Sequence, residues 1–209
     1  MSPEMITGLW GAALVSAAAY LPLTEKPPSA VRTILKTLPL LLFSVIAVVS
    51  GGPLALVVAL LLSALGDAWL AQDGNRAFMA GLASFLLAHL AYAGLFFAAG
   101  EGMAGAPVAA TAAIAVFAIV FGMLLVRSAG PLAVPVALYV VAIAVMGFGA
   151  AGMGAAVLAG AALFMISDAI LGAAKFLMKP AHPMRALAGA AIWVFYVAGQ
   201  GLILRGIVG

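Results

Sequence analysis

The sequence predicts an all-α membrane protein, a polytopic bundle of eight transmembrane helices. Hydrophobic residues make up 67% of its 209 residues and charged residues only 7%, a composition that excludes a soluble globular domain. Apolar runs long enough to cross a bilayer recur along the chain. A β-barrel would show short alternating segments, and a signal peptide would be followed by polar sequence, whereas Met5 to Leu21 leads into further apolar sequence. We therefore expect one integral membrane domain over residues 1–209.

Glycine, proline and charged residues mark the ends of the predicted helices. A span needs about 17 to 25 apolar residues, and the connectors T-E-K-P-P-S, Q-D-G-N-R and L-M-K-P-A-H-P contain residues that end helices. Pro39 is expected near the start of the second helix, where proline is tolerated. The boundary within Gly147–Gly154 is the weakest, and one long helix there would give seven spans. The predicted helices cover residues 5–21, 34–50, 53–71, 77–98, 106–126, 131–149, 153–176 and 185–207.

The positions of the basic residues predict the orientation. The net charge is +3, but the charges flank the apolar runs, so we expect no nucleic-acid partner. Cytoplasmic loops carry the excess of Lys and Arg, which places both termini outside the inner (plasma) membrane of a bacterium. Removing one span would distribute the charges over both faces, so the bias favours eight helices. Only Arg205 falls on the outer side, and the inner side receives Lys26, Arg32, Lys36, Arg76, Arg127, Lys175, Lys179 and Arg185.

Two carboxylates interrupt apolar helices. Asp67 lies in L-L-L-S-A-L-G-D-A-W-L-A and Asp168 in F-M-I-S-D-A-I-L-G. An ionised Asp at the centre of a membrane helix costs about 2.5 to 3.5 kcal/mol on insertion scales, so such residues usually face the bundle interior and have a partner. We expect the two acids to meet across a wet chamber reached from the inner leaflet. A structural ion pair or a helix cap is the alternative.

The segments around the two acids resemble each other. Gly66 to Leu70, G-D-A-W-L, aligns with Ser167 to Leu171, S-D-A-I-L. An even helix count would make two four-helix halves parallel repeats about an axis along the membrane normal. Chance similarity in an Ala- and Leu-rich background explains the same match.

Further polar residues share helical faces with small and aromatic residues. Such faces line a cavity, but polar side chains also join membrane helices at roughly 0.6 to 2 kcal/mol per hydrogen bond, so both interpretations stay open. No cysteine is present, and no H-x-x-x-H or H-E-x-x-H spacing occurs, so we expect no metal and no cofactor. The candidates are Lys36, Ser63, His89, Tyr92, Tyr196 and Gln200.

Five motifs in order across Lys36 to Ile203 resemble the YhhN family, which includes the lysoplasmalogenases. They are K-T-L-P, S-A-L-G-D-A-W-L, G-L-A-S-F-L-L-A-H-L-A-Y, I-S-D-A-I-L and F-Y-V-A-G-Q-G-L-I. The resemblance implies a membrane hydrolase that cleaves the vinyl ether bond of a lysoplasmalogen to a fatty aldehyde and a glycerophospho head group, without a required metal. It also implies that the family's polar positions are Lys36, Asp67, His89, Tyr92, Asp168, Tyr196 and Gln200.

The residues fit that chemistry independently. Vinyl ether hydrolysis needs a proton donor for the β-carbon and an anion near the resulting oxocarbenium ion, and two carboxylates can divide these roles, as in glycosidases. We expect Asp168 to be the general acid and Asp67 the anion, although the reverse assignment fits as well. His89 or Tyr196 would hold water or the leaving oxygen, and Lys36 would meet the phosphate of the lysophospholipid. Ser63, Tyr92 and Gln200 would line the substrate site.

A small transporter or lipid flippase is the alternative function. Its aspartates would relay protons at the interface between the two repeats. The chain is short for an alternating-access carrier, and no midplane helix is obviously broken. A purely structural membrane protein would leave the two acids unexplained. The sequence predicts contact with membrane lipids and fixes no oligomeric state.

Overall fold

A computed structural model describes residues 2–102, 105–179 and 181–209. Within these residues the chain forms eight α-helices and no strand. This confirms the predicted all-α class and the number of helices. Short 3-10 helices cover Leu21–Leu23 and Gly130–Leu132. The helices are α1 (Pro3–Tyr20), α2 (Ala30–Val49), α3 (Leu54–Leu70), α4 (Asn75–Ala99), α5 (Val108–Ser128), α6 (Ala133–Ala151), α7 (Ala155–Phe176) and α8 (Arg185–Val208).

Most of these helices have the length and composition of membrane spans. Among the described residues, seven helical segments are long and apolar enough to cross a bilayer, as expected for an integral membrane protein. The exception is α3, whose 17 residues extend about 25 Å, against a hydrocarbon thickness of about 30 Å. The shortest helix is therefore the one that contains Asp67.

The boundary between α6 and α7 is a true turn. Helix α6 ends at Ala151 and α7 begins at Ala155. Gly154, directly before α7, has a φ of 98°, a conformation that glycine adopts at no steric cost and other residues rarely adopt. The weakest predicted boundary is thus confirmed, and the seven-helix alternative is wrong.

The chain divides into two compact units. The first unit comprises residues 1–92 and 207–209, and the second comprises residues 93–206. The first contains α1 to α3 and most of α4, and the second contains α5 to α7 and nearly all of α8. The single domain and the two four-helix repeats stay predictions.

In the first unit, a proline lies inside α2. Helix α2 begins at Ala30, so Pro39 lies in its middle, and the expectation that it lies near the helix start is wrong. Proline has no N–H group to donate to the carbonyl four residues earlier, here that of Leu35. The hydroxyl of Ser16 on α1 donates to this carbonyl oxygen at 3.2 Å. A side chain of α1 therefore replaces the backbone bond that α2 lacks.

Arg32 joins three helices at one end of the first unit. Its Nε donates to the Leu23 carbonyl at 3.1 Å, its Nη2 donates to the Thr24 carbonyl at 3.3 Å, and its Nη1 donates to the Ala71 carbonyl. These carbonyls follow α1 and α3, where helix ends leave acceptors unsatisfied. Arg32 therefore fixes α2 between its two neighbours, besides its predicted effect on orientation.

In the second unit, α7 and α8 cross with their backbones in close contact. A Cβ atom at Gly160 would lie 2.7 Å from the Gly199 carbonyl oxygen, and a Cβ atom at Gly199 would lie 2.7 Å from the Gly160 carbonyl oxygen. Small residues allow such an approach between membrane helices. Further along the same pair, the Ser167 hydroxyl donates to the Ile192 carbonyl at 2.9 Å. The close crossing of α7 and α8 thus depends on glycine at both positions 160 and 199.

Replacing Gly199 by Ala tests this crossing. The added methyl group must displace the backbone of α7, and overpacking of this kind costs about 1 to 3 kcal/mol. Gly11→Ala on α1 is the matched control, because nothing lies within 4 Å of its added Cβ atom and both changes alter helix propensity alike. Thermal unfolding in detergent measures the difference. Equal stability of the two variants would contradict the close crossing.

The proposed orientation can be tested by single-cysteine labelling, because the chain has no native cysteine. Ser2 precedes α1 and Ser128 ends α5, and both are exposed. With both termini outside, an impermeant maleimide should label Ser2→Cys on cells whose outer membrane is permeabilised and whose inner membrane is intact. It should label Ser128→Cys only after lysis. The cysteine-free chain is the control. Labelling in the reverse pattern would contradict the orientation.

Candidate active site

In the first unit, Asp67 of α3 faces Lys36 of α2. The Lys36 Nζ atom lies 3.8 Å from the Asp67 Oδ1 atom, and the two side chains are only 13% and 2% exposed. Arg32 and Ala71, which are hydrogen-bonded to each other, lie one helical turn away on the same two helices. The contact of Arg32 with Ala71 thus sets the register that places the ammonium group opposite the carboxylate.

Lys36 lies deeper in its helix than the sequence predicts. Because α2 begins at Ala30, Lys36 is six residues, about 9 Å, from the helix start. Its Nζ atom also lies 5.9 Å from the centre of the Tyr20 ring, near the outer limit of a cation–π contact. The ammonium group is therefore engaged inside the first unit, and its contact with a lipid phosphate stays a prediction.

Helix α4 packs closely against α3 beside Asp67. A Cβ atom at Gly66 would lie 2.6 Å from the Phe85 ring, so glycine makes room for that ring. The Ser84 hydroxyl donates to the Leu62 carbonyl at 2.7 Å and joins the two helices one turn before Gly66 in α3. Ser84 was not predicted as part of the site, whereas Phe85 is one of the aromatic residues expected on the helical face of His89. Their sequence signal is G-L-A-S-F, which places a hydroxyl and an aromatic ring on α4 before His89.

His89 lies one turn beyond Phe85 on α4 and is fully buried. Its Nδ1 atom lies 2.6 Å from the Phe85 carbonyl oxygen. A carbonyl can only accept, so Nδ1 carries the proton, and in the neutral ring Nε2 is the accepting nitrogen. Ser63 and Tyr92, which the sequence also singles out, are fully buried in the first unit. Their roles toward a substrate stay predictions.

In the second unit, Asp168 of α7 is held by a tyrosine. The Tyr139 hydroxyl of α6 donates to the Asp168 Oδ2 atom at 2.8 Å, and both residues are buried. Sequence reasoning missed Tyr139. One sequence feature could have identified it, because Tyr139 is the one residue of α6 with a hydroxyl group. A hydroxyl group in an otherwise apolar membrane helix needs a hydrogen-bond partner within the protein.

Aromatic residues surround the same part of α7. Phe164 lies one turn before Asp168, and its ring meets the Tyr196 ring edge-on with a centroid distance of 5.4 Å. The Trp193 and Tyr196 rings are 5.8 Å apart. Gln200 lies one turn after Tyr196 and is fully buried. The second unit therefore brings Tyr196 and its aromatic neighbours to the turn of α7 that precedes Asp168.

The family model of the YhhN family matches residues 31–207. The chain belongs to the YhhN family. No curated protein and no solved structure matches the chain. The matched range contains both aspartates of this YhhN protein, and it also contains Lys36 and Tyr139, the residues that contact them.

The two acids of this YhhN protein have different partners. Asp67 lies beside a cation, Lys36, and Asp168 accepts a hydrogen bond from a neutral phenol, Tyr139. Asp67 belongs to the first unit and Asp168 to the second, so their meeting in one chamber stays a prediction. Among the residues that the structure describes, no group of three or more His, Asp and Glu side chains is arranged to hold a metal ion. The local geometry therefore supports acid–base chemistry by two carboxyl groups, one beside an ammonium group and one hydrogen-bonded to a phenol.

Lys36→Met in this YhhN protein tests the pair in the first unit. The change leaves the buried Asp67 carboxylate without its cation, which costs about 3 to 5 kcal/mol for a buried pair. The double variant Lys36→Met/Asp67→Leu should recover most of this loss, because neither charge remains. Lys26→Met, at an exposed position of the same unit, is the matched control and should change stability by less than about 0.5 kcal/mol. Chemical denaturation in micelles gives the values, and a Lys36→Met variant as stable as the control would refute the pairing.

Proposed function

We propose that the chain is a membrane-embedded hydrolase that cleaves the vinyl ether bond of lysoplasmalogen-type lysophospholipids. The products are a fatty aldehyde and a glycerophospho head group. Membership of the YhhN family supports this class of activity. The observation that carries the proposal is the presence of two buried carboxyl groups on apolar helices, one beside a cation and one bonded to a phenol. The inner membrane of a bacterium, with both termini outside, is the proposed location.

The reaction requires one proton donor and one water molecule. A carboxylic acid transfers its proton to the β-carbon of the vinyl ether, while a lone pair of the ether oxygen forms the C=O bond of an oxocarbenium ion. Water then adds to the α-carbon and its proton returns to the carboxylate. The hemiacetal collapses as its hydroxyl proton passes to the ether oxygen, which leaves as the alcohol of the head group. Acid catalysis by a positioned side chain contributes about 10²- to 10⁴-fold.

Asp67 suits the ionised role. The ammonium group of Lys36 at 3.8 Å favours the charged form of a carboxyl group that is only 2% exposed. We therefore propose that Lys36 keeps Asp67 ionised, and its contact with the lipid phosphate stays a prediction. An anion of this kind stabilises positive charge in a medium of low dielectric constant more strongly than it would in water.

Asp168 suits the role of general acid. Its partner Tyr139 is neutral, and a phenol hydroxyl can donate to a carboxyl oxygen before and after the proton leaves. The carboxyl group can thus lose and regain a proton without losing this hydrogen bond. Tyr196, Gln200, Ser63 and Tyr92 remain proposed substrate contacts. The accepting Nε2 atom of His89 is suited to hold water or the leaving oxygen.

The test is aldehyde release by the purified protein in nanodiscs that contain a lysoplasmalogen. The saturated alkyl ether analogue should give no aldehyde, because it has no carbon–carbon double bond to accept the proton. In D₂O, the aldehyde should carry one deuterium on the carbon next to its carbonyl. Asp168→Asn and Asp67→Asn should each lower kcat by about 10²- to 10⁴-fold. Asp73→Asn, the same change at an exposed carboxylate, is the matched control and should keep the full rate.

Two results would overturn the proposal. The first is an undiminished rate in both buried-site variants. The second is the absence of aldehyde together with proton-coupled flux of an unchanged lysolipid in liposomes, which would assign the aspartates to a carrier.

A further inference from the structure

We propose that Tyr139 is a positioning residue that tunes proton transfer by Asp168. This inference rests on the proposed function and deepens it. The Tyr139 hydroxyl donates to Asp168 Oδ2 at 2.8 Å, and the two side chains are 7% and 8% exposed. The hydrogen bond joins two buried side chains on the packed helices α6 and α7, so it restricts the rotation of the carboxyl group. Tyr139 therefore orients the carboxyl group.

The engaged oxygen determines which atom carries the transferable proton. The carbonyl oxygen of a protonated carboxyl group is its stronger acceptor, so the hydrogen bond from Tyr139 to Oδ2 favours the proton on Oδ1. We therefore assign the transferred proton to Oδ1. Proton transfer requires the donor oxygen and the acceptor carbon to be held in line, and a carboxyl group with restricted rotation favours this orientation.

The same hydrogen bond strengthens as the reaction proceeds. Before transfer, a neutral phenol donates to a neutral acid. As the proton leaves, Asp168 gains negative charge, and hydrogen bonds to ionised groups are about twice as strong as those between neutral groups. An interaction that is stronger in the transition state than in the ground state raises kcat and leaves substrate binding unchanged. The phenol of Tyr139 therefore acts on the rate through Asp168, without touching the substrate.

The first experiment replaces Tyr139 by Phe, which keeps the ring and removes only the hydroxyl. We expect kcat for aldehyde release to fall about tenfold, with KM unchanged. Ser167→Ala is the matched control, because it removes another buried hydroxyl of the second unit, one that donates to the Ile192 carbonyl. The control should keep its kcat even where thermal unfolding shows a similar loss of stability. A Tyr139→Phe variant with the kcat of the wild-type protein would overturn the inference.

The second experiment varies the hydrogen-bond donor strength of the phenol and keeps its shape nearly unchanged. Site-specific incorporation of mono- and difluorotyrosine at position 139 makes the hydroxyl a progressively stronger donor. The maximal kcat should rise in the order Phe, Tyr, monofluorotyrosine, difluorotyrosine, with KM constant and a solvent deuterium isotope effect retained. A purely structural tyrosine would give equal rates for the three phenols, and that result would overturn the inference.

Different results would overturn the proposed function and the role of Tyr139. If the wild-type protein releases no aldehyde from a lysoplasmalogen, the proposed function is wrong and the role of Tyr139 falls with it. If the wild-type protein is active and loses activity in Asp168→Asn, but the series at position 139 is flat, only the role of Tyr139 is wrong.

Discussion

Hydrocarbon supplies no hydrogen-bond partners, so every polar group that a chain places in the membrane must find its partner in the protein. This requirement links otherwise separate features of the first unit. The hydroxyl of Ser16 meets the carbonyl that Pro39 leaves without a donor. The guanidinium group of Arg32 meets three backbone carbonyls beyond the ends of neighbouring helices. Satisfying the polar groups is thus also what joins the helices.

The two aspartates extend this requirement to acidic groups. A carboxyl group can be kept in an apolar helix by an opposite charge or by a neutral donor, and the chain uses one solution in each unit. Lys36 supplies the charge for Asp67, and Tyr139 supplies the donor for Asp168. The two solutions give different chemical properties, because a cation favours the ionised form whereas a phenol serves both forms. Two similar sequence motifs therefore place their aspartates in two chemically different settings.

The sequence predicted the fold class and the number of helices because both depend on apolar length and on Gly or Pro between the runs. It did not predict the start of α2 at Ala30, since R-T-I-L-K begins with charged and polar residues that resemble a loop. Both aspartates were predicted because a charged residue in an apolar run can be recognised from the sequence alone. Their partners were not, because Lys36 looked like an interfacial residue and Tyr139 like an ordinary aromatic residue of α6. Partners on separate helices depend on helix register, which composition does not contain.

The short length of α3 has a consequence for the surrounding lipid. A hydrophobic segment shorter than the hydrocarbon layer is accommodated by local thinning of the bilayer or by reorientation of flanking residues. Asp67 lies three residues before the end of this helix, about 4.5 Å along its axis. Ether bonds of a glycerolipid lie just beneath the head group, where the acyl region begins. A lipid beside a thinned region can therefore present that bond at the depth of a helix end while its tail stays in the leaflet.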